Sequence, residues 1–288
     1  MTVKIAAAQY NISFLENWAA YQQKIESWVA GASAQDAKIL LFPEYFSMEL
    51  ASLFSQEIYS SLNKQLAAMQ SLHDDFIALF KDMAQKYQCI IQSGTFPVLI
   101  EPGIYRNRAY LFLPDGQLDH QDKLMMTRFE NEQWLIKGGK ELKCFDTEYG
   151  KIGINICYDS EFPLLARKLA ECGCLLILVP SCTDTLAGFH RVKIGCQARA
   201  LENQCYVVQA SLVGDAEWSE AVDVNVGAAA VYTPVDKGFP DNGILSVGTM
   251  NAVQWVIATI SLKEYETVRE HGQVFNYRDW PLQQDFVN

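Results

Sequence analysis

Along the chain the apolar positions switch between two habits. At residues 3–10, 37–42, 89–96, 174–179 and 205–211 they form short continuous runs ended by polar or turn residues. Such runs predict buried strands. Over residues 18–30, 62–87, 163–172 and 188–203 they recur three and four apart, which predicts helices with one face on a core. Pro114-Asp115-Gly116 separates strand-like residues 108–113 from 117–121, a hairpin turn signature. Tyr149-Gly150 likewise separates 143–145 from 152–157. Further strands are expected at 226–232, 244–247 and 255–260, then a helix over 262–271 and a tail with no strong period. Strands alternating with helices, with hairpins among them, predict an α/β protein of mixed sheets covered by helices. No linker-like segment or internal repeat interrupts the pattern. A single domain over 1–288 is expected, with its core at about 3–260 and a C-terminal tail at 261–288.

Composition narrows the class. A 288-residue chain that is half hydrophobic has enough material for a large core. Its net charge of -11, from 34 acidic and 23 basic residues, disfavours nucleic acid and anionic membranes as partners. No apolar run approaches the roughly 20 residues needed to cross a bilayer. The first ten residues lack the basic and long apolar regions of a signal peptide and read as a first strand. Most of the eight cysteines lie in apolar runs, as free thiols do in a reducing compartment, so a cytoplasmic setting is expected. Cys172-Gly-Cys174 with Cys182 lacks paired C-x2-C spacing and is read as core thiols rather than a zinc site. The four histidines form no H-x-x-x-H pair and no glycine-rich phosphate loop occurs, so no metal and no cofactor is expected.

Three residues stand out chemically. Gly153-Ile-Asn-Ile-Cys157 climbs an apolar strand to a thiol, turns polar at Tyr158-Asp159-Ser160-Glu161, and meets Phe162-Pro163 where a helix can start. A thiol at a strand tip can be reached by a ligand and activated by a neighbouring base or cation. Glu44 follows the buried run 39–42 through Pro43. A carboxylate there must be solvated, paired or functional, and near a thiol it would serve as a general base. Lys123 follows the strand 117–121, where a fixed positive charge could hold an oxyanion. Each also has a plain structural reading. Together they fall at strand C-terminal ends, where open α/β sheets gather their sites.

These residues in their contexts resemble the nitrilase superfamily of carbon–nitrogen hydrolases. The matching segments are Phe42-Pro43-Glu44, Asp122-Lys123-Leu124, and Gly150 to Asp159 with Phe162-Pro163. Asn107 to Gly116, Val179-Pro180-Ser181 and Arg199 to Asn203 support it. The resemblance covers roughly residues 3 to 260. It implies a four-layer α-β-β-α sandwich with two mixed sheets and a Glu44-Lys123-Cys157 triad that works by acyl transfer. It further implies an oxyanion site at Lys123 and the Tyr158 backbone N–H, and a second glutamate between lysine and cysteine. Glu132, in Glu132-Gln133-Trp134, is taken over Glu130 for that role. Tyr158-Asp159 resembles the amidase-like branches, so a small amide is the expected substrate. N-carbamoyl amines or nitriles are the alternatives. An acyltransferase, or a scaffold without catalysis, is the alternative of another class. Tyr158, Glu161, Thr183 and Arg191 should border the substrate. Arg191 is read either as reading a substrate carboxylate or as half of a salt bridge. Arg199 and Glu202 share a helix face and should pair structurally. A homodimer or larger homo-oligomer is expected.

Overall fold

The computed structural model describes residues 2–134 and 136–287. Its strands are β1 (Thr2–Asn11), β2 (Ile39–Leu41), β3 (Ile90–Glu101), β4 (Ile104–Phe112), β5 (Leu118–Asp122), β6 (Cys144–Thr147), β7 (Gly150–Ile154), β8 (Cys174–Ser181), β9 (Tyr206–Asp215), β10 (Val224–Asn225), β11 (Ala230–Tyr232), β12 (Ile244–Val247) and β13 (Gln254–Ser261). Its helices are α1 (Trp18–Ser33), α2 (Gln56–Tyr59), α3 (Leu62–Met69), α4 (His73–Tyr87), α5 (Pro163–Glu171), α6 (Leu186–Asn203), α7 (Leu262–His271) and α8 (Asn276–Asp279).

One mixed sheet runs β5-β4-β3-β2-β1 with β13 antiparallel on the far edge of β1. The second runs β6-β7-β8-β9, continued by β11 and β12. They meet at one point, where Gln9, the last β1 residue paired with β13, and then Tyr10 and Asn11 pair in parallel with Ser211 to Val213 of β9. Alternation along β1 assigns the layers, because successive side chains point to opposite faces. Ile5 and Ala7 belong to the core shared with Ile154, Leu178 and Val207 of the second sheet. Ala6, Ala8 and Tyr10 pack with Tyr21 and Ile25 of α1 and with Phe76 and Phe80 of α4. Ala166 and Leu169 of α5, with Val192 and Cys196 of α6, cover the second sheet. This is the four-layer α-β-β-α sandwich that the resemblance implied.

Three local expectations change. The helix expected over 62–87 is broken by a 3-10 turn at Gln70–Leu72. Gln70 explains the break: its amide donates to Pro97 O at 2.8 Å and accepts from Leu99 N at 2.9 Å, so β3 holds the turn. The strand expected over 226–232 shortens to Ala230–Tyr232, preceded by the separate β10. Cys172, read as a core thiol, is exposed at the C-cap of α5. No helix among the described residues is long and apolar enough to cross a membrane.

Candidate active site

Parallel strands β2, β7 and β8 and the edge strand β5 end at the same side of the sandwich. Their C-terminal exits carry Glu44, Cys157, Cys182 and Lys123. All four line one cavity of about 550 Å³.

Glu44 is held from several sides. The chain turns sharply after Pro43, with Tyr45 at φ 55° and its N–H donating to Thr95 Oγ1 at 2.8 Å. Across the turn Gly94 sits at φ 62°, and a Cβ there would run into the Pro43 carbonyl oxygen and the Phe46 ring. Asn107 Nδ2 donates to Glu44 Oε1 at 2.8 Å, Lys123 Nζ donates to the same oxygen at 2.7 Å, and Cys182 N donates to Oε2 at 3.2 Å.

Lys123 also meets both oxygens of Glu130, at 2.8 and 2.7 Å. Glu44, Lys123 and Glu130 are only 1, 1 and 2 % exposed. The structure therefore corrects the choice of second glutamate: Glu130 is the partner of Lys123, while Glu132 is exposed and pairs with Arg128 at 2.8 Å. The reason is local. Residues 130–134 form a short π-helical turn, and buried Trp134 shares the inward face with Glu130 four positions earlier. Glu132 lies between them and faces out. A reciprocal cap fixes this register. Thr127 N and Oγ1 each donate to Glu130 Oε2 at 2.8 Å, and Glu130 N donates back to Thr127 Oγ1 at 3.4 Å. Tyr45 OH donates to Glu130 Oε1 at 2.6 Å.

Cys157 has φ 48°, in the left-handed region, at the start of the 3-10 turn Cys157–Glu161. That conformation is costly for a non-glycine residue. It is braced by Asp159, whose carboxylate accepts from Ile156 N at 3.1 Å, Met125 N at 2.7 Å and Leu124 N at 3.2 Å. Asp159 thereby ties the Cys157 turn to the segment just after Lys123. The Cys157 thiol donates to the Cys182 carbonyl oxygen at 3.5 Å.

Burial sets the charges. It pushes the Cys157 thiol well above its ordinary range, and the Glu44 carboxylate adds to the rise against the pull of Lys123. Burial also raises Glu44, with Lys123 opposing and Glu130 adding. Burial alone would lower Lys123, but Glu130, Glu44 and Cys157 outweigh it and hold the ammonium well above the usual lysine range. Burial would raise Glu130, yet Lys123, Tyr45 and Thr127 bring it below its ordinary value. Asp159, raised chiefly by burial, reaches about 7. The site thus pairs Glu130 and Lys123, each held toward its charged form by the other, with a base and a thiol whose proton affinities burial raises.

Tyr158, Glu161, Thr183 and Arg191 all line the cavity. Arg191 Nε lies 3.8 Å from Glu161, so its salt-bridge reading holds in this structure. Thr183 Oγ1 donates to Val226 O at 2.6 Å. Arg199 and Glu202 pair at 3.1 Å, as expected. Sequence reasoning missed Tyr45, Asn107, Asp159 and Cys182 as parts of the site. Asn107 and Asp159 stood inside quoted motifs, and only long-range contacts reveal what they hold. The spacing Thr127-x-x-Glu130, that of a capping box, was a legible pointer to Glu130.

The profile of the carbon-nitrogen hydrolase family matches residues 4–269. "Probable hydrolase YhcX" of Bacillus subtilis is 36% identical over 277 residues, 96% of this chain and 53% of the relative. The chain thus spans about half the length of that relative. "Deaminated glutathione amidase" of Dictyostelium discoideum is 26% identical, over 89% of this chain and 87% of its own. Among solved structures, Saccharomyces cerevisiae Nit3, of branch 10 of the nitrilase superfamily, superposes with a TM-score of 0.75. Its identity is 23%, over 93% of each chain.

Proposed function

The chain belongs to the carbon–nitrogen hydrolase family, and from that premise we propose that it is a cysteine-dependent amidase acting on a small linear amide. The observation that carries the reading is the convergence, on one cavity, of Cys157 with a Lys123 ammonium that lies 2.7 Å from both Glu44 and Glu130.

In this reading Glu44 takes the Cys157 proton as sulfur attacks the carbonyl carbon. The negative charge that develops on oxygen is met by Lys123 and by the backbone N–H of Tyr158. That N–H lies in the first turn of the Cys157–Glu161 helix, where amide groups lack helical partners. Glu44 returns the proton to the leaving nitrogen, the C–N bond breaks, and a thioester remains on Cys157. Glu44 then draws a proton from water, which releases the acid and the free thiol. Glu130 does no proton transfer here. It keeps Lys123 charged and in place.

The test is ammonia release from a panel of ω-amides of dicarboxylic acids, simple aliphatic amides, N-carbamoyl amines and nitriles, with wild type and Cys157→Ala. Cys157-dependent release from the amides supports the reading and identifies the substrate class. Release from nitriles alone, or release that survives Cys157→Ala, overturns it.

A further inference from the structure

A second thiol shares the cavity with the nucleophile. Strands β7 and β8 run side by side in parallel, with Ile154 opposite Leu178 and Asn155 N donating to Leu178 O at 3.0 Å. Their exits carry Cys157 and Cys182. The strands stay in contact beyond the ladder, because the Cys157 thiol reaches the Cys182 carbonyl oxygen at 3.5 Å. Cys182 is partly exposed and lines the cavity. Its sulfur has a single weak partner among the described residues, Asn225 Oδ1 at 3.3 Å. Among the described residues none of the other six cysteines lines this cavity.

We propose that Cys157 and Cys182 form a reversible disulfide when a hydroperoxide enters the cavity, and that this makes Cys182 a resolving thiol for the nucleophile. The base that would prepare Cys157 for an amide prepares it equally for a peroxide. Glu44 takes the thiol proton and the Cys157 sulfur attacks the nearer peroxide oxygen. The O–O bond breaks, and the departing oxygen leaves as alcohol or water after taking up that proton. Cys157 is then a sulfenic acid. The Cys182 sulfur attacks it, an S–S bond forms, the S–O bond breaks and water leaves with the Cys182 proton. In sum two thiols and one hydroperoxide give one disulfide, one alcohol or water, and one further water. Sulfur is oxidised by two electrons and the peroxide is reduced.

Geometry favours closure over further oxidation. A disulfide needs its two Cα atoms within about 4.4–6.8 Å, the range of residues on adjoining strand ends. Closure asks the Cys182 thiol to leave Asn225 Oδ1 and turn toward Cys157, whose sulfur already reaches the Cys182 carbonyl. A nucleophile without such a neighbour would go on to the sulfinic acid, which a dithiol does not reverse. With Cys182 beside it, the sulfur is held one reduction step from the working thiol.

The test treats the whole purified protein with hydrogen peroxide and reads mass, non-reduced peptide maps and iodoacetamide labelling at Cys157, none of which depends on turnover. These readouts therefore stand apart from the fate of the hydrolase reading. In wild type the expected result is loss of two hydrogen masses, a Cys157–Cys182 cross-linked peptide, and loss of labelling that dithiothreitol restores. In Cys182→Ser, and in Cys182→Ala as a second variant, the cross-link is absent. Cys157 gains two oxygens, and dithiothreitol fails to restore labelling. A wild-type map with Cys157 as sulfinic acid and Cys182 free overturns the proposal. So does equal recovery of labelling in the Cys182 variants.

Discussion

The Lys123 ammonium lies 2.8 and 2.7 Å from the two oxygens of Glu130, in a pocket where neither side chain meets solvent. A lysine so deeply buried would shed its proton without such a partner, because burial disfavours the charged form. The pair therefore keeps a cation where an oxyanion would form. Glu130→Gln should lower kcat by roughly 10²-fold, the scale of losing one oxyanion donor, and cost about 1–3 kcal/mol of stability. Glu132→Gln touches an exposed pair with Arg128 and should change stability by less than about 0.5 kcal/mol, with kcat unaltered. Steady-state kinetics and urea unfolding of the two variants check this. Equal losses in both would remove the assignment of Glu130.

Glu44 accepts from Asn107, Lys123 and Cys182 N. In Glu44→Gln the amide oxygen can still accept from Asn107 and Lys123, so shape is kept while the base and the acceptor for Cys182 N are removed. Turnover should fall by roughly 10²–10⁴-fold, the range for a lost general base. Thermal unfolding should shift little by comparison. Alkylation of Cys157 by iodoacetamide should also slow, since no group is left to take its proton. A variant that unfolds readily yet keeps its activity per folded molecule would show that Glu44 serves structure instead.

How much of this was readable in advance follows from the range of each interaction. Glu44, Lys123 and Cys157 were legible because each ends a strand-like segment with a polar residue, and parallel strands collect their exits at one edge. Glu130 was passed over for Glu132 because Glu132-Gln133-Trp134 was matched to amidase branches. The inward face is set by Thr127 capping the turn, a four-residue signal weaker than the motif beside it. The break at Gln70 depends on Pro97 and Leu99 of β3, contacts that periodicity along one helix does not encode. Asp159 and Cys182 belong to the same class. Their partners lie up to 138 positions away, as for Cys182 N and Glu44.

Two carboxyl groups give the protein opposite pH dependences. Glu44 works as a base only when ionised, and burial raises it above its ordinary value. Activity should fade as pH drops through that raised value, at a higher pH than a free glutamate near 4.3 would dictate. Asp159 is raised to about 7, from 3.8 in the unfolded chain. A carboxyl whose folded value is raised contributes stability that is full below the unfolded value and lost as pH climbs through the folded one. The stability advantage of wild type over Asp159→Asn should therefore shrink steadily from about pH 4 to about pH 7. Urea unfolding of both proteins across that range is the measurement. Parallel curves would mean that Asp159 keeps its ordinary titration.

Gly94 links the fold to the site without touching any substrate. At φ 62° it adopts a backbone conformation that L side chains rarely take, and it leaves room for the Pro43 carbonyl and the Phe46 ring. Its neighbour Thr95 accepts from Tyr45 N and, through its own carbonyl, from Ser47 Oγ at 2.8 Å. Gly94→Ala must push the Pro43–Phe46 turn away from β3, and Glu44 lies inside that turn. Stability should fall by more than about 1 kcal/mol, the usual excess cost when a residue cannot adopt the native conformation. Activity per folded molecule should fall as well, because a base displaced by about 1 Å loses on the order of 10² in rate. Urea unfolding gives the first quantity, and active-site titration of Cys157 followed by turnover gives the second. If Gly94→Ala loses stability while each folded molecule keeps full turnover, the turn does not position Glu44.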